Sequence, residues 1–349
     1  MPSFRYLATF AAGFEGIVPS YLARVGASGV GASGGAALFR LPGPVDAANR
    51  LSAFSNVFLI VAEYRGRDMN FARMVRGEPS RAEAIDPIAR ELARRGVRSF
   101  RVRFSREGRF ESVEPRLVAE AEAQVREAFG VRDDRTRPDA EFWYMIRRDG
   151  GAYFLWRLTD RPEEERDPAP GELRADLARL IVAHALDGID DPRAALDPFA
   201  GSGSLPRALA ELCPAARVLA SDSDPAKVAS MRSRLGSGVE VFGTDARSLP
   251  GVADGSIDLV VTDPPWGDWD AAACEASGGV HGLYRGFLAA LDRVLSSTGR
   301  ACVLTGAKTA FEAAVAASPE FAASAGAPGF RTDVLVNGKK AALYRLSRA

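Results

Sequence analysis

Two short loops, each closing an apolar run, limit what this chain can fold into more than any other feature. The first run, Ala194-Ala195-Leu196, leads into Asp197-Pro198-Phe199-Ala200-Gly201-Ser202-Gly203-Ser204. The second, residues 257–261, leads into Thr262-Asp263-Pro264-Pro265-Trp266-Gly267. Short apolar runs bounded by turn residues read as strands buried on both faces, and such strands belong to parallel sheets covered by helices. Further runs at 218–220, 239–241 and 301–304 alternate with helical stretches, among them 173–186 and 206–212. This alternation predicts a doubly wound α/β domain with a parallel sheet over 171–349. Around Asn337-Gly338, segments 332–336 and 341–346 read as an antiparallel C-terminal hairpin.

The first half has a different rhythm. Residues 1–64 alternate as strand 4–10, helix 14–25, strand 37–41, helix 45–53 and strand 57–64, the order of a small α+β domain of ferredoxin-like type. Residues 65–160 continue with helices 85–95 and 115–129 and strands 99–104, 141–147 and 152–158. Asp149-Gly150-Gly151 turns between the last two strands. Residues 161–170, acidic and proline-rich, read as a linker.

Charge separates the halves as well. Residues 1–160 carry 25 arginines, no lysine and 20 acidic residues, a balance of +5 that the remainder cancels to give zero for the chain. Such a bias permits a nucleic-acid partner and is equally compatible with a solvated charged surface. No apolar run has the length of a membrane span. Cys213, Cys274 and Cys302 are far apart without metal-ligand spacing, and His184 and His281 are the only histidines. The expectation is a cytoplasmic protein with reduced thiols, no metal and no membrane partner. Oligomeric state is open.

Ligands of open α/β sheets sit outside the carboxyl ends of the strands, where the unusual residues fall. Asp197 closes the first strand. Phe199, Ala200, Gly201, Gly203 and Ser204 make a turn against which a ligand can lie, in front of unpaired helix N–H groups. A dinucleotide fingerprint would need a third glycine where Pro206 stands. Asp222, about 20 residues on, suits the hydroxyls of a ribose. Asp224-Pro225 reads instead as a helix N-cap followed by proline at N1. Asp245, beside Ala246, is a candidate acceptor for an adenine amino group or a cap for the next turn.

Asp263-Pro264-Pro265-Trp266 carries the acceptor chemistry. Two consecutive prolines fix the backbone and donate nothing, which leaves carbonyl oxygens free to accept. An aryl amine is a poor nucleophile because its lone pair is delocalised into the ring. Asp263 and the Pro264 carbonyl can take both of its N–H groups and turn the lone pair outward, while Trp266 stacks on the base. The plain alternative is a rigid turn with a core tryptophan. Trp269 and Tyr284 are further aromatic candidates, with core packing the heavier reading for each. Together the two loops point to methyl transfer from S-adenosylmethionine to an exocyclic amine.

At these residues the chain resembles the class I methyltransferases whose motif is Asn/Asp-Pro-Pro-aromatic. Pro170-Gly171-Glu172-Leu173-Arg174 is similar to the Pro-x-x-Leu-Arg lead-in of the THUMP-domain RNA methyltransferases. The first loop is similar to their Asp-Pro-Phe-Cys-Gly-Ser-Gly-Thr, with Ala200 and Ser204 replacing Cys and Thr. The resemblance implies a ferredoxin-like domain at 1–64, a THUMP-like RNA-binding domain at 65–160, and a Rossmann-like methyltransferase domain at 171–349. It implies S-adenosylmethionine as cofactor and N2 of a guanosine in tRNA as acceptor. Acids at 163–165 depart from the basic linkers of relatives. Competing readings are an N6-adenine DNA methyltransferase, methylation of another RNA or a protein amide, and a non-enzymatic RNA-binding scaffold.

Overall fold

The computed structural model describes residues 3–42, 45, 51–159, 172–189, 191–267 and 278–348. The linker 161–170, most of the helix expected at 45–53, Pro170-Gly171, Trp269 and Cys274 lie outside the described residues. The chain divides into two compact units, residues 1–10 with 18–160, and residues 11–17 with 161–349.

The first unit runs β1 (Ser3–Thr9), α1 (Val18–Arg24), β2 (Ser28–Ser33), β3 (Ala36–Pro42), β4 (Asn56–Tyr64), α2 (Phe71–Arg76), β5 (Arg81–Ala82), α3 (Ile85–Arg94), β6 (Ser99–Arg106), β7 (Arg109–Phe110), α4 (Pro115–Phe129), β8 (Arg132–Asp133), β9 (Ala140–Ile146) and β10 (Ala152–Arg157). Among the described residues its strands form one sheet of order β2-β3-β1-β4-β10-β9-β6-β7, with β5 beside β4 and β8 beside β6. Pairing is antiparallel except where β6 meets β8 and β9. The β4–β10 ladder, Tyr64 opposite Ala152 to Phe58 opposite Arg157, joins strands from both N-terminal segments. Phe104, Tyr144, Phe154 and Phe142 stack in sequence across neighbouring strands at centroid spacings of 4.6–5.6 Å. Helix α4 starts with Pro115 in its first turn and stops at Gly130, whose left-handed φ of 68° suits glycine. Leu117, Ala121 and Val125 recur every four residues along it and are buried.

Two elements of this unit are invisible to periodicity. Strand β2 is Ser-Gly-Val-Gly-Ala-Ser, without alternating apolar residues, and is carried by its ladder with β3 at the sheet edge. Helix α2 is six residues long, too short to show a period, and is nucleated by Asn70, whose side chain accepts from the Arg73 N–H at 3.0 Å. Helix α1 begins at Val18 rather than 14, because residues 11–17 join the second unit, where the Ala12 carbonyl accepts from Leu335 N–H at 3.3 Å.

The second unit contains α5 (Ala175–Ala185), β11 (Ala194–Asp197), α6 (Ser204–Leu212), β12 (Arg217–Asp222), α7 (Pro225–Leu235), β13 (Glu240–Gly243), β14 (Ile257–Thr262), α8 (Gly279–Val294), β15 (Leu295–Thr305), α9 (Lys308–Ala316), β16 (Arg331–Val336) and β17 (Lys339–Ser347). Its sheet has the order β13-β12-β11-β14-β15-β17-β16. The first five of these strands are parallel and β17 runs antiparallel between β15 and β16. This is the doubly wound α/β sheet with a terminal hairpin that the sequence predicts. Asn337 and Gly338, at φ 49° and 81°, make the primed turn of that hairpin. Chain direction across the sheet reverses between β11 and β14, which opens a crevice at their carboxyl ends. The core beneath it is built from Leu196, Val260, Tyr284, Phe287, Leu291, Val303 and Phe311.

Candidate active site

Asp197 ends β11 and is 1% exposed. Its Oδ1 accepts from the Thr262 hydroxyl at 2.6 Å and from the Phe199 N–H at 3.1 Å. The Thr262 bond crosses from β14 to β11, so the two sequence loops meet at their roots. Burial pushes the Asp197 carboxyl up to about 8; the Thr262 and Phe199 bonds oppose the rise, and the charges of Asp263 and Asp222 add to it.

The glycine loop folds back on β12. Ala200 N–H donates to the Ser221 carbonyl at 2.9 Å, and Gly201 N–H to Asp222 Oδ2 at 3.0 Å. Gly203 occupies the N-cap of α6 at φ 87°, a conformation that favours glycine, and a Cβ there would lie 3.0 Å from Leu235 Cδ1. Asp222, at the end of β12, is 8% exposed, and its Oδ1 accepts from the Asp224 N–H at 2.9 Å. Asp224 itself caps α7 by accepting from Ala226 N–H at 2.8 Å, as its position before Pro225 predicts. Two hydroxyls beside this loop, Ser221 Oγ and Thr244 Oγ1, are buried without a hydrogen-bond partner. Asp245 follows β13 and is engaged by its own turn: Arg247 N–H donates to Oδ1 at 2.8 Å and the Arg247 guanidinium pairs with Oδ2 at 2.6 Å. That pairing, led by the guanidinium bond, holds its carboxyl below the ordinary value. Ala200 and Ala246 are buried.

The second loop is braced from below and behind. Trp266 donates its indole N–H to Asp263 Oδ1 at 2.8 Å. The Trp266 ring lies against Gly306, where a Cβ would come within 2.4 Å of Cε3, so no larger residue fits under it. The Tyr284 hydroxyl is hydrogen-bonded to the Pro265 carbonyl at 2.9 Å and to Thr305 Oγ1 at 2.8 Å, pinning the prolines to α8 and β15. Tyr284 is thus a core residue that also anchors the loop. Burial pushes the Asp263 carboxyl up to about 7, against the Trp266 bond, and no guanidinium or ammonium among the described residues pairs with it or with Asp197.

The structure therefore brings Asp197, Phe199, Ala200, Gly201, Gly203, Ser204, Asp222, Asp263, Pro264, Pro265 and Trp266 to one edge of the sheet, with Asp245 and Ala246 after the adjoining strand β13. Thr262, Thr305 and Gly306 were not singled out by sequence reasoning. Thr262 has a local signal, a hydroxyl ending an otherwise apolar strand; Thr305 and Gly306 have none, since their roles come from the fold. Beside the glycine loop a cleft of about 370 Å³ is lined by Ser202, Gly203, Ser204, Arg179, Arg207 and Arg234. Arg179 and Arg234 are paired there with Glu211 and Glu172. The site is acidic where it is deepest. Asp197 and Asp263 have carboxyls raised by burial, and Asp222 beside them holds the glycine loop.

Residues 163–326 match the UPF0020 family, described as an RMKL-like methyltransferase domain. The chain is 31% identical over 218 residues to the tRNA (guanine(6)-N2)-methyltransferase of Thermus thermophilus, an alignment spanning 60% of this chain and 63% of that one. It is 29% identical over 208 residues to the 4-amino-L-phenylalanine/4-methylamino-L-phenylalanine methyltransferase of Streptomyces pristinaespiralis, spanning 55% of this chain and 67% of that one. The crystal structure of TrmN from Thermus thermophilus superimposes with a TM-score of 0.72 at 23% identity, over 99% of this chain and all of that one. The fold is similar to that of TrmN, and the match to the methyltransferase-domain family falls in the second unit.

Proposed function

We propose that the protein transfers a methyl group from S-adenosylmethionine to the exocyclic N2 of a guanosine in tRNA. The observation that carries the reading is the half-buried Asp263 carboxylate, bonded to the Trp266 indole beside two prolines, at the edge where Asp197 and Asp222 hold the glycine loop. The residues fit the cofactor. The carboxylates suit its cationic methionine end, and Ser221 and Thr244 have buried hydroxyls with bonds to give. Asp197 would face that cationic end, Gly201 and Gly203 would admit the ligand to the backbone, Asp222 would accept from ribose hydroxyls, and Asp245 with Ala246 would flank the adenine. When bound, S-adenosylmethionine supplies an electrophilic methyl group.

The chain's own residues do the rest. Asp263 Oδ2 and the Pro264 carbonyl accept the two N–H groups of the amine, which turns its lone pair out of conjugation. The nitrogen that gains a methyl sheds one proton, and Asp263 Oδ2 stands ready to hold it, with a pKa matched to neutral pH. Trp266 keeps Oδ1 occupied, so the free oxygen faces the substrate, and offers its remaining ring surface to the base. Acceptors in a duplex must be extruded first.

The Thermus relative supports a tRNA acceptor, and the Streptomyces relative acts on a free aryl amine, the same functional group. The arginine-rich first unit is compatible with RNA. In this reading residues 1–64 are a ferredoxin-like domain, 65–160 a THUMP-like module, 161–170 the linker, and the protein is cytoplasmic. No helix among the described residues is long and apolar enough to cross a membrane. The test compares unmodified tRNA, duplex DNA and 4-aminophenylalanine as acceptors of labelled methyl. Labelling of tRNA alone is expected; labelling of DNA or the amino acid in preference would overturn the assignment.

A further inference from the structure

Gly306, which follows β15, is a glycine that its own backbone does not demand. Gly201, Gly203 and Gly267 in the two site loops have φ of 52°, 87° and 93°, which a larger residue adopts only under strain; the φ of Gly306 lies outside that left-handed region. What excludes a side chain there is the Trp266 ring. A Cβ on Gly306 would lie 2.4 Å from Cε3, 2.9 Å from Cζ3 and 3.0 Å from Cδ2, all in the six-membered ring of the indole. The N–H of the other ring donates to Asp263 Oδ1 at 2.8 Å.

The backbone at Gly306 is held at both neighbours. Thr305 is paired with Ala342 in the β15–β17 ladder, and its hydroxyl is bonded to Tyr284 at 2.8 Å and accepts from the Ala307 N–H at 3.0 Å. The Ala307 carbonyl accepts from the Phe311 N–H at 3.0 Å in the first turn of α9. An added methyl must therefore lift the ring, and the bond to Asp263 goes with it. Among the described residues the neighbouring groups offer no substitute donor. Lys308, the next cation along the chain, is turned to Asp333 at 2.9 Å. The Tyr284 hydroxyl is engaged with Pro265 and Thr305. Asp197, the titratable group that the Asp263 charge acts on, is itself an acid.

We infer that Gly306 is a positioning residue for methyl transfer: its missing side chain lets the Trp266 ring lie back on the end of β15 and hold Asp263 Oδ1, so that Oδ2 alone meets the acceptor amine. The sequence position of Trp266 suggests a stacking face; the notch at Gly306 gives the same ring a second role, as hydrogen-bond donor to the acid. A donated N–H favours the carboxylate over the neutral acid, so losing it raises the pH at which Asp263 ionises. The inference rests on the reading of Asp263 given above and deepens it by naming the residue that sets the acid's orientation and ionisation.

Two measurements on the full chain test it. The first needs no acceptor: proton–nitrogen correlation NMR of the tryptophan indole N–H groups in the cofactor-free protein, with the Trp266 signal assigned by its loss in Trp266→Phe. That signal is expected to move with pH through about 7 as Asp263 ionises, and in Gly306→Ala to lie upfield and stay still. The second is the pH profile of methyl transfer to tRNA. Its midpoint is expected to rise by about one unit or more in Gly306→Ala and in Trp266→Phe alike. Calorimetry with S-adenosylhomocysteine checks that each variant keeps a folded cofactor site. In the double variant the two shifts should not add, because both substitutions remove the same bond. A wild-type indole signal in Gly306→Ala, or additive shifts, would overturn the role of Gly306 and leave methyl transfer to tRNA standing. Absence of tRNA methylation by the wild-type chain would overturn both.

Discussion

Glu141 in the first unit and Asp197 and Asp263 in the second sit in contrasting surroundings. In the first, Glu141 has three guanidiniums around it, and Arg5 is shared by Glu63 and Glu83. In the second, Asp197, buried, and Asp263, half-buried, have hydrogen-bond donors but no cation among the described residues, and both are pushed up in pKa. Leaving an acid unpaired in a low dielectric costs stability, so it persists where a ligand supplies the missing partner. The first unit gathers guanidinium charge at its surface; the second gathers acids in a crevice. A polyanion fits the one and a cationic cofactor with an amine substrate fits the other.

The most severe way to break this contrast is to remove the unpaired acid. Asp263→Ala is expected to lower methyl transfer by about a hundredfold or more, with cofactor affinity by calorimetry little changed, because only the acceptor amine loses its partner. Wild-type turnover would remove Asp263 from the mechanism. Asp197→Asn sharpens the contrast through stability. Because the folded pKa of Asp197 is raised, its contribution is fully present below about 4 and is lost as pH rises through about 8. The asparagine variant keeps an oxygen for Thr262 and Phe199, so its cofactor-free form is expected to gain at least about 1 kcal/mol at alkaline pH in denaturant melts, while binding cofactor more weakly.

Turnover should rise with pH through about 7, as the Asp263 carboxylate ionises and can accept from the amine; in Asp263→Asn the profile should be lower and flat across that range. A wild-type profile flat through pH 7 would show that Asp263 does not titrate in catalysis. The smallest effect is at the brace. Tyr284→Phe removes the donor to the Pro265 carbonyl and leaves Thr305 Oγ1 with only the Ala307 N–H, and is expected to cost about 1–3 kcal/mol in thermal or chemical unfolding. Turnover should fall only a few-fold.

Much of the second unit was legible in the chain because its information is local. Apolar runs mark strands buried on both faces, and the loops that close them must carry whatever the sheet edge does. Asp197, Gly203, Asp222 and Asp263 could be singled out because their types are unusual at such positions. Gly306 and Thr305 could not, since their roles arise where β15 runs beneath the Trp266 ring. Nor could the orientation of Trp266, whose edge serves Asp263, while its sequence position alone suggests only a stacking face. In the first unit, Ser28–Ser33 has no pattern to read, because an edge strand of glycine and serine is specified by its neighbour rather than by itself. The cluster around Glu141 was hidden for the same reason: Arg101, Arg103, Glu141, Trp143 and Arg157 come from three strands and meet only in the sheet.

The most direct measurement is transfer of labelled methyl from S-adenosylmethionine to unmodified tRNA, with the product digested and its nucleosides identified by mass spectrometry. N2-methylguanosine, absent with Asp263→Ala, is the expected result. A different methylated nucleoside, or none from a protein that still binds the cofactor, would contradict the account.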